Sequence, residues 1–138
     1  MEKDSQGKDI GIERRTIENY TYQEIFQKAE QLGKAIIARK LDHLESVHSM
    51  RFLGIYSKNR LEWMITDIAC ILFGITSTPL YDTLGVDNLS YCLNQTQMTS
   101  LCVTEETVKV LLTLKDLGNL HTLISYDKLD QKIISQIQ

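Results

Sequence analysis

The chain has 138 residues, 43% of them hydrophobic and 24% charged, with a formal net charge of −3 and a pI near 5.6. That length suits one α/β domain, able to bury roughly 68% of the surface its unfolded chain exposes, and leaves no room for a second of full size. Lysines and arginines are scattered rather than clustered, so no basic stripe is available to displace phosphate counterions, and nucleic acid is not an expected partner.

Residues 1–19 carry Lys3, Asp4, Lys8, Asp9, Glu13, Arg14, Arg15 and Glu18 with few large apolar side chains. They read as a flexible arm that cannot bury enough surface to order itself. The arm has no apolar h-region, and the longest nearly uncharged apolar run, residues 68–75, is far shorter than a bilayer span. No signal peptide or transmembrane helix is therefore expected, and the expected compartment is cytoplasmic, with attachment to a membrane surface left open.

At Thr21 the pattern changes. Thr21 and Glu24 make a capping-box pair, Tyr20 and Ile25 are spaced for a hydrophobic staple, and Ile25, Ala29, Leu32 and Ile36 follow on one helical face. Residues 41–50, with His43 and His48 and no strong period, read as a connecting loop. The aromatic and branched run RFLGIY, residues 51–56, predicts a strand buried on both faces. Asn59 with Glu62 supplies a second cap. The helix after it carries Trp63, Ile65, Ile68, Ala69 and Leu72 around its circumference, so apolar that packing on more than one side is expected before Gly74 stops it.

Residues 75–78 predict a second strand, ending at Pro79, which has no N–H to give to a ladder. Residues 80–85 (LYDTLG) form a loop, and Leu89, Cys92 and Leu93 then mark a helical face. Residues 101–103 make a third strand. Thr104 caps a further helix, with Glu105 and Glu106 favourable near its N-terminus and Val108, Leu111 and Leu112 on its inner face before Gly118. Residues 122–125 are a fourth strand candidate. Strands alternating with helices of about three turns specify a parallel sheet wound by right-handed crossovers.

Chemistry is sparse. The seven glycines are dispersed, so no phosphate cradle is formed; Gly54 reads as a close approach between elements, and Gly74 and Gly118 as helix stops. Cys70, Cys92 and Cys102 sit in apolar stretches without metal-ligand spacing and read as buried, reduced thiols. His43, His48 and His121 show no spacing of a metal pair or a catalytic triad. Asp67 reads as a solvent-facing edge or local cap ahead of a buried functional carboxylate, and Trp63 as a packing anchor ahead of a pocket wall. Tyr81, Asp82, Thr83 and Gly85 follow a proline at the carboxyl end of a strand, where α/β sheets place ligand loops, and they suit a plain turn equally well. No residue is assigned a catalytic, cofactor-binding or metal-ligating role.

The run GIYSKNRLEWMITDIAC (residues 54–70), followed by TPLYDTLG (residues 78–85), resembles the paired N-terminal signatures of long-chain acyl-CoA synthetases, the fatty-acid branch of the adenylate-forming (AMP-binding) enzymes. The Tyr-Thr-Tyr-x-Glu of residues 20–24 is similar to that family's helix entry, in a shifted register. The likeness is strong over residues 20–103 and weaker to residue 125. Leu61 stands where the family commonly has proline.

The resemblance implies that residues 20–138 are part of an AMP-binding N-terminal domain, truncated before the phosphate loop. It also implies a parent reaction in which fatty acid, ATP and CoA give acyl-CoA, AMP and pyrophosphate with magnesium. No position here matches the family's nucleotide-site residues, so this stretch alone is expected to be inactive and to carry no cofactor. The alternative is a non-catalytic binding or regulatory module derived from the same family. Peripheral association with the endoplasmic reticulum or another organelle membrane, or pairing with a ligase partner, is a family expectation.

Overall fold

The computed structural model describes residues 2–3, 9–10, 18–44, 49–81 and 83–137. Most of the predicted arm lies outside them; within it, β1 (Glu2–Lys3) pairs antiparallel with β2 (Asp9–Ile10). Helix α1 (Tyr22–Ala38) begins where its capping box predicts. The Glu24 N–H donates to Thr21 Oγ1 at 3.2 Å, and Glu24 Oε2 accepts from the Thr21 N–H at 2.7 Å, which satisfies two of the donors a helix start leaves over. Ile25, Ala29, Gly33 and Ile36 are its buried face. Tyr20 stays exposed, with its O–H on Glu18 and Lys28 over its ring.

The segment predicted as a loop after α1 contains a short strand, β3 (His43–Leu44), antiparallel to β4 (Arg51–Tyr56). Two residues are too few for any periodicity to announce them. An ion pair between Arg51 and Asp42, at 2.7 Å, closes this corner. Strand β4 becomes more buried toward its carboxyl end, with Leu53, Ile55 and Tyr56 in the core.

Helix α2 (Leu61–Phe73) is capped by Arg60 in extended conformation with no side-chain cap bond, not by Asn59 as expected. The chain straightens one residue later than the Asn59–Glu62 spacing suggests, and Arg60 holds Glu62 directly through an ion pair of 2.7 Å. Gly74 ends the helix at φ 65, the left-handed conformation that lacks a penalty only for glycine. The expectation of packing on several sides is corrected. Ile65, Thr66, Ala69 and Cys70 are buried, whereas Met64, Ile71 and Leu72 are 45%, 71% and 41% exposed. The outer face of α2 is an apolar stripe with no cover among the described residues.

Strand β5 (Thr76–Leu80) runs past its predicted end, taking in Pro79 opposite Ile55. It tolerates the proline because, among the described residues, it has one paired neighbour, β4. Helix α3 (Val86–Thr96) follows and buries Leu89 and Leu93, with Cys92 half-buried. Strand β6 (Ser100–Val103) is buried throughout.

Thr104 caps α4 (Glu105–Leu111), which stops at Leu112. Leu112 is exposed rather than on the inner face. Gly118 lies beyond the helix, in a turn where its N–H donates to Asp116 Oδ1 at 2.9 Å; its φ of 57 explains the glycine, but its role is not that of a helix stop. Strand β7 (Thr122–Ser125) is followed by α5 (Gln131–Ile137), unforeseen in the sequence, whose Ile133 is buried against the core.

Among the described residues the four parallel strands lie in the order β5-β4-β6-β7. Phe52 pairs with both His43 and Thr76, so β3 lies on the β6 side of β4, below it. The chain steps outward from β4 to β5, crosses back to β6 and steps on to β7. Right-handed connections then put α2 on one face and α3 and α4 on the other, and the core divides accordingly. Leu53, Ile55 and Cys102 pack under α1 and α2, while Tyr56, Leu101 and Val103 pack under α3, α4 and α5.

Helices α1 and α2 meet through Ile25, Ala29, Ile65 and Ala69. Gly33 lies so close to the Phe73 ring that a β-carbon there would overlap it, which is how small residues bring two helices together. Gly54 is hemmed in likewise by Leu101 and Met98, as its strand position suggested.

Candidate functional site

The order β5-β4-β6-β7 places the topological switch point between β4 and β6, and open α/β sheets bind ligands outside the carboxyl ends of the strands at that point. A cleft of about 680 Å³ lies there, floored by Tyr56 and walled by residues 58–60, 104–107 and Asp127. Strands β4, β6 and β7 each deliver the loop at their carboxyl end to it.

Its charges are matched one against another. Lys58 Nζ is 3.1 Å from Glu106 and Lys109 Nζ is 2.6 Å from Glu105. Arg60 holds Glu62 through Nε at 2.7 Å and Asp127 through Nη1 at 2.8 Å, with its guanidinium 5.5 Å from the centre of the Tyr126 ring. These contacts set the titration of the cleft. The Arg60 bond holds the Glu62 carboxyl below the usual range. The Glu105 N–H, and after it Arg60, do the same for Asp127. Bonding to Glu62 and Asp127 raises Arg60.

The hydroxyls are also engaged. Thr107 Oγ1 donates to the Tyr56 carbonyl at 2.9 Å and receives the Thr104 N–H at 2.9 Å. Behind the cleft, Thr66 Oγ1 donates to the Glu62 carbonyl at 2.7 Å and lies 2.8 Å from the Tyr126 O–H. The arrangement is a polar recess with balanced charge.

The residues weighed in the sequence lie elsewhere. Tyr81 and Thr83 are exposed beyond the edge strand, Gly85 caps α3, and the Leu84 N–H closes a turn onto the Tyr81 carbonyl at 3.0 Å; Asp82 lies outside the described residues. Asp67 accepts a hydrogen bond from Ser77 Oγ at 2.6 Å, a link between α2 and the edge strand. Trp63, in the first turn of α2, is half-buried and packs against the core cluster that includes Ile36, Leu53 and Ile55. His121 is exposed beside Thr122, His43 lies on β3, and His48 is outside the described residues. Arg60 falls within the signature run of residues 54–70 but was given no role there, and Tyr126 and Asp127 were not singled out; the signal common to all three is position, each following a strand at its carboxyl end.

Comparison with known proteins agrees with the fold. The AMP-binding enzyme family matches residues 6–136, and the chain belongs to it. Long-chain-fatty-acid–CoA ligase 6 of Mus musculus is 36% identical over 83 residues, 60% of this chain and 11% of the ligase. Long chain acyl-CoA synthetase 2 of Arabidopsis thaliana is 35% identical over 108 residues, 77% of this chain and 15% of that protein.

Among solved structures, the adenylation domain of a carboxylate reductase from Mycobacterium chelonae superposes with a TM-score of 0.71 at 18% identity, covering 86% of this chain and 18% of that one. The luciferase-like enzyme of the mealworm Zophobas morio gives a TM-score of 0.69 at 18% identity, over 88% of this chain and 28% of that one. At such identities the likeness establishes the fold. The chain spans between 11% and 17% of the length of the curated relatives it matches.

Proposed function

We propose that this chain is the amino-terminal α/β layer of a fatty acid–CoA ligase that activates long-chain fatty acids as acyl-adenylates, and that these 138 residues alone do not adenylate. The observation that carries the reading is the family match over residues 6–136, with curated relatives that are long-chain ligases.

Holding a triphosphate in place while a carboxylate attacks it requires uncommitted cations and a metal site. In the cleft each cation is already engaged by a carboxylate. Among the described residues no group of three or more His, Cys, Asp or Glu is placed to hold a metal ion. ATP, magnesium, CoA and the fatty acid belong, on this reading, to the whole ligase.

The competing reading, a self-sufficient binding module, calls for a closed polar surface. The uncovered Met64, Ile71 and Leu72 favour a layer that packs further. Among the described residues no helix is long and apolar enough to cross a membrane; peripheral attachment to an organelle membrane is part of the proposal, to be tested by fractionation.

The deciding experiment is an immunoblot of native material with an antibody to residues 80–85, alongside a test of the 138-residue chain for fatty-acid-dependent pyrophosphate release. A native polypeptide of several hundred residues that forms acyl-CoA, with a silent short chain, is the expected result. A native product near 15.9 kDa would transfer the assignment to a binding module, and pyrophosphate release by the short chain would overturn the claim of inactivity.

A further inference from the structure

We infer that Arg60 is a positioning residue, a bracket that couples the loop after β4 to the loop after β7 so that two walls of the switch-point cleft hold one shape. The coupling is independent of the ligase reading, because it rests on contacts within this chain.

Arg60 and Asp127 are 67 residues apart, and β6 lies between the strands that carry them. The guanidinium engages three partners at once: Glu62 through Nε at 2.7 Å, Asp127 through Nη1 at 2.8 Å, and the face of Tyr126. Only a planar cation with donors in a fixed fork can do this; a lysine ammonium can take one of the two carboxylates and cannot stack in the same way.

The contacts continue on both sides. The second oxygen of Asp127 accepts the Glu105 N–H at 3.0 Å, so Arg60 fixes, through Asp127, the first turn of α4. Tyr126 reaches Thr66, and Thr66 reaches the Glu62 carbonyl, closing a ring back to the start of α2. The backbone of Arg60 is fully extended at the cap of α2, and its carbonyl accepts the Met64 N–H at 3.3 Å. No side-chain hydrogen bond caps that helix start, so the loop from β4 to α2 is held from outside, by Asp127 and Tyr126 on Arg60 and, at the exposed rim, by Glu106 on Lys58.

Amide hydrogen exchange on the 138-residue chain tests this. Arg60→Met is expected to speed exchange at the Glu105 amide by about tenfold while the amides of β6 keep their protection. Reciprocally, Asp127→Ala is expected to speed exchange at Met64 by about threefold, and the double variant to do no more at either amide than the more damaging single one, the mark of two groups acting as one unit. Arg60→Lys should lie between wild type and Arg60→Met. The bracket is refuted if Glu105 exchange is unchanged in Arg60→Met, or if the effects of the two single variants add. It is also refuted if β6 loses protection in step with Glu105 in both Arg60 variants, since Arg60 would then stabilise the whole domain rather than join two loops.

Discussion

Thr107 Oγ1 lies 2.9 Å from the carbonyl oxygen of Tyr56, a buried hydrogen bond between residues 51 apart that ties the first turn of α4 to the carboxyl end of β4. Valine at position 107 keeps the shape of threonine and removes the hydroxyl, so the Tyr56 carbonyl loses this donor and the Thr104 N–H loses its acceptor. Thr107→Val is expected to lower stability by about 1–3 kcal/mol, and Thr107→Ser to recover most of that loss. The midpoints of urea denaturation measure both.

Gly54 sits where a β-carbon would overlap Leu101 and Met98, both fully buried. Neither neighbour has free space to retreat into, so Gly54→Ala overpacks the sheet face under α3 and α4. The expected cost is about 1–3 kcal/mol, read from the same denaturation curves. An unchanged midpoint would show that the strand relaxes around the methyl group.

Four carboxylates make stability depend on acid. Glu24 is held below its usual range by the Thr21 N–H, Glu62 by Arg60, Asp116 by the Gly118 N–H, and Asp127 by the Glu105 N–H. A group with a depressed folded pKa contributes stability that is complete above its unfolded value and is lost as pH falls through the folded one. The denaturation midpoint should therefore be flat near neutrality and fall below about pH 4, where unfolded carboxylates begin to bind protons. Glu62→Gln should reduce the steepness of that fall.

Burial pushes the Cys70 thiol up to about 12 and the Cys102 thiol up to about 11, whereas Cys92 is only half-buried, at the margin of the core beneath α3. The thiolate is the reactive form. With iodoacetamide at mildly alkaline pH the folded chain should take up a single label, on Cys92, and all three cysteines should react once the chain is unfolded. Peptide mass spectrometry locates the label; early labelling of Cys70 would contradict the packing of α2 on β4.

Ile71 is the most exposed residue of the apolar stripe on α2, at 71%. Replacing it with lysine removes no buried contact, so Ile71→Lys should change stability by no more than about 0.5 kcal/mol while reducing self-association of the isolated chain in light scattering. A large loss of stability would mean that the stripe is already covered.

What the sequence disclosed follows a physical line. Strands β4, β6 and β7 and the starts of α1 and α4 were legible because each is announced locally: a buried branched run, or the Thr21 and Thr104 caps. Strand β3 and helix α5 are too short to show a period, and Ile133 is held by long-range packing. The cleft escaped for a different reason. A ligand loop was sought after β5, but β5 is the outer strand, and the switch point lies one strand inward. Strand order depends on which elements bury each other, and no local pattern in residues 57–60 or 126–127 records that Arg60 will meet Asp127.

Pro79 has a consequence for how this domain behaves among its own copies. Among the described residues β5 pairs with β4 alone, and a strand open on one side is an invitation to foreign chains, because its unpaired amides template further strands. A proline is accommodated in a strand with its nitrogen turned to the open side, so the free margin of β5 lacks a donor opposite the Ile55 pairing, one residue before its end. The sheet is thereby discouraged from growing into a fibril at the margin where growth would otherwise be easiest, even while the neighbouring helix remains sticky.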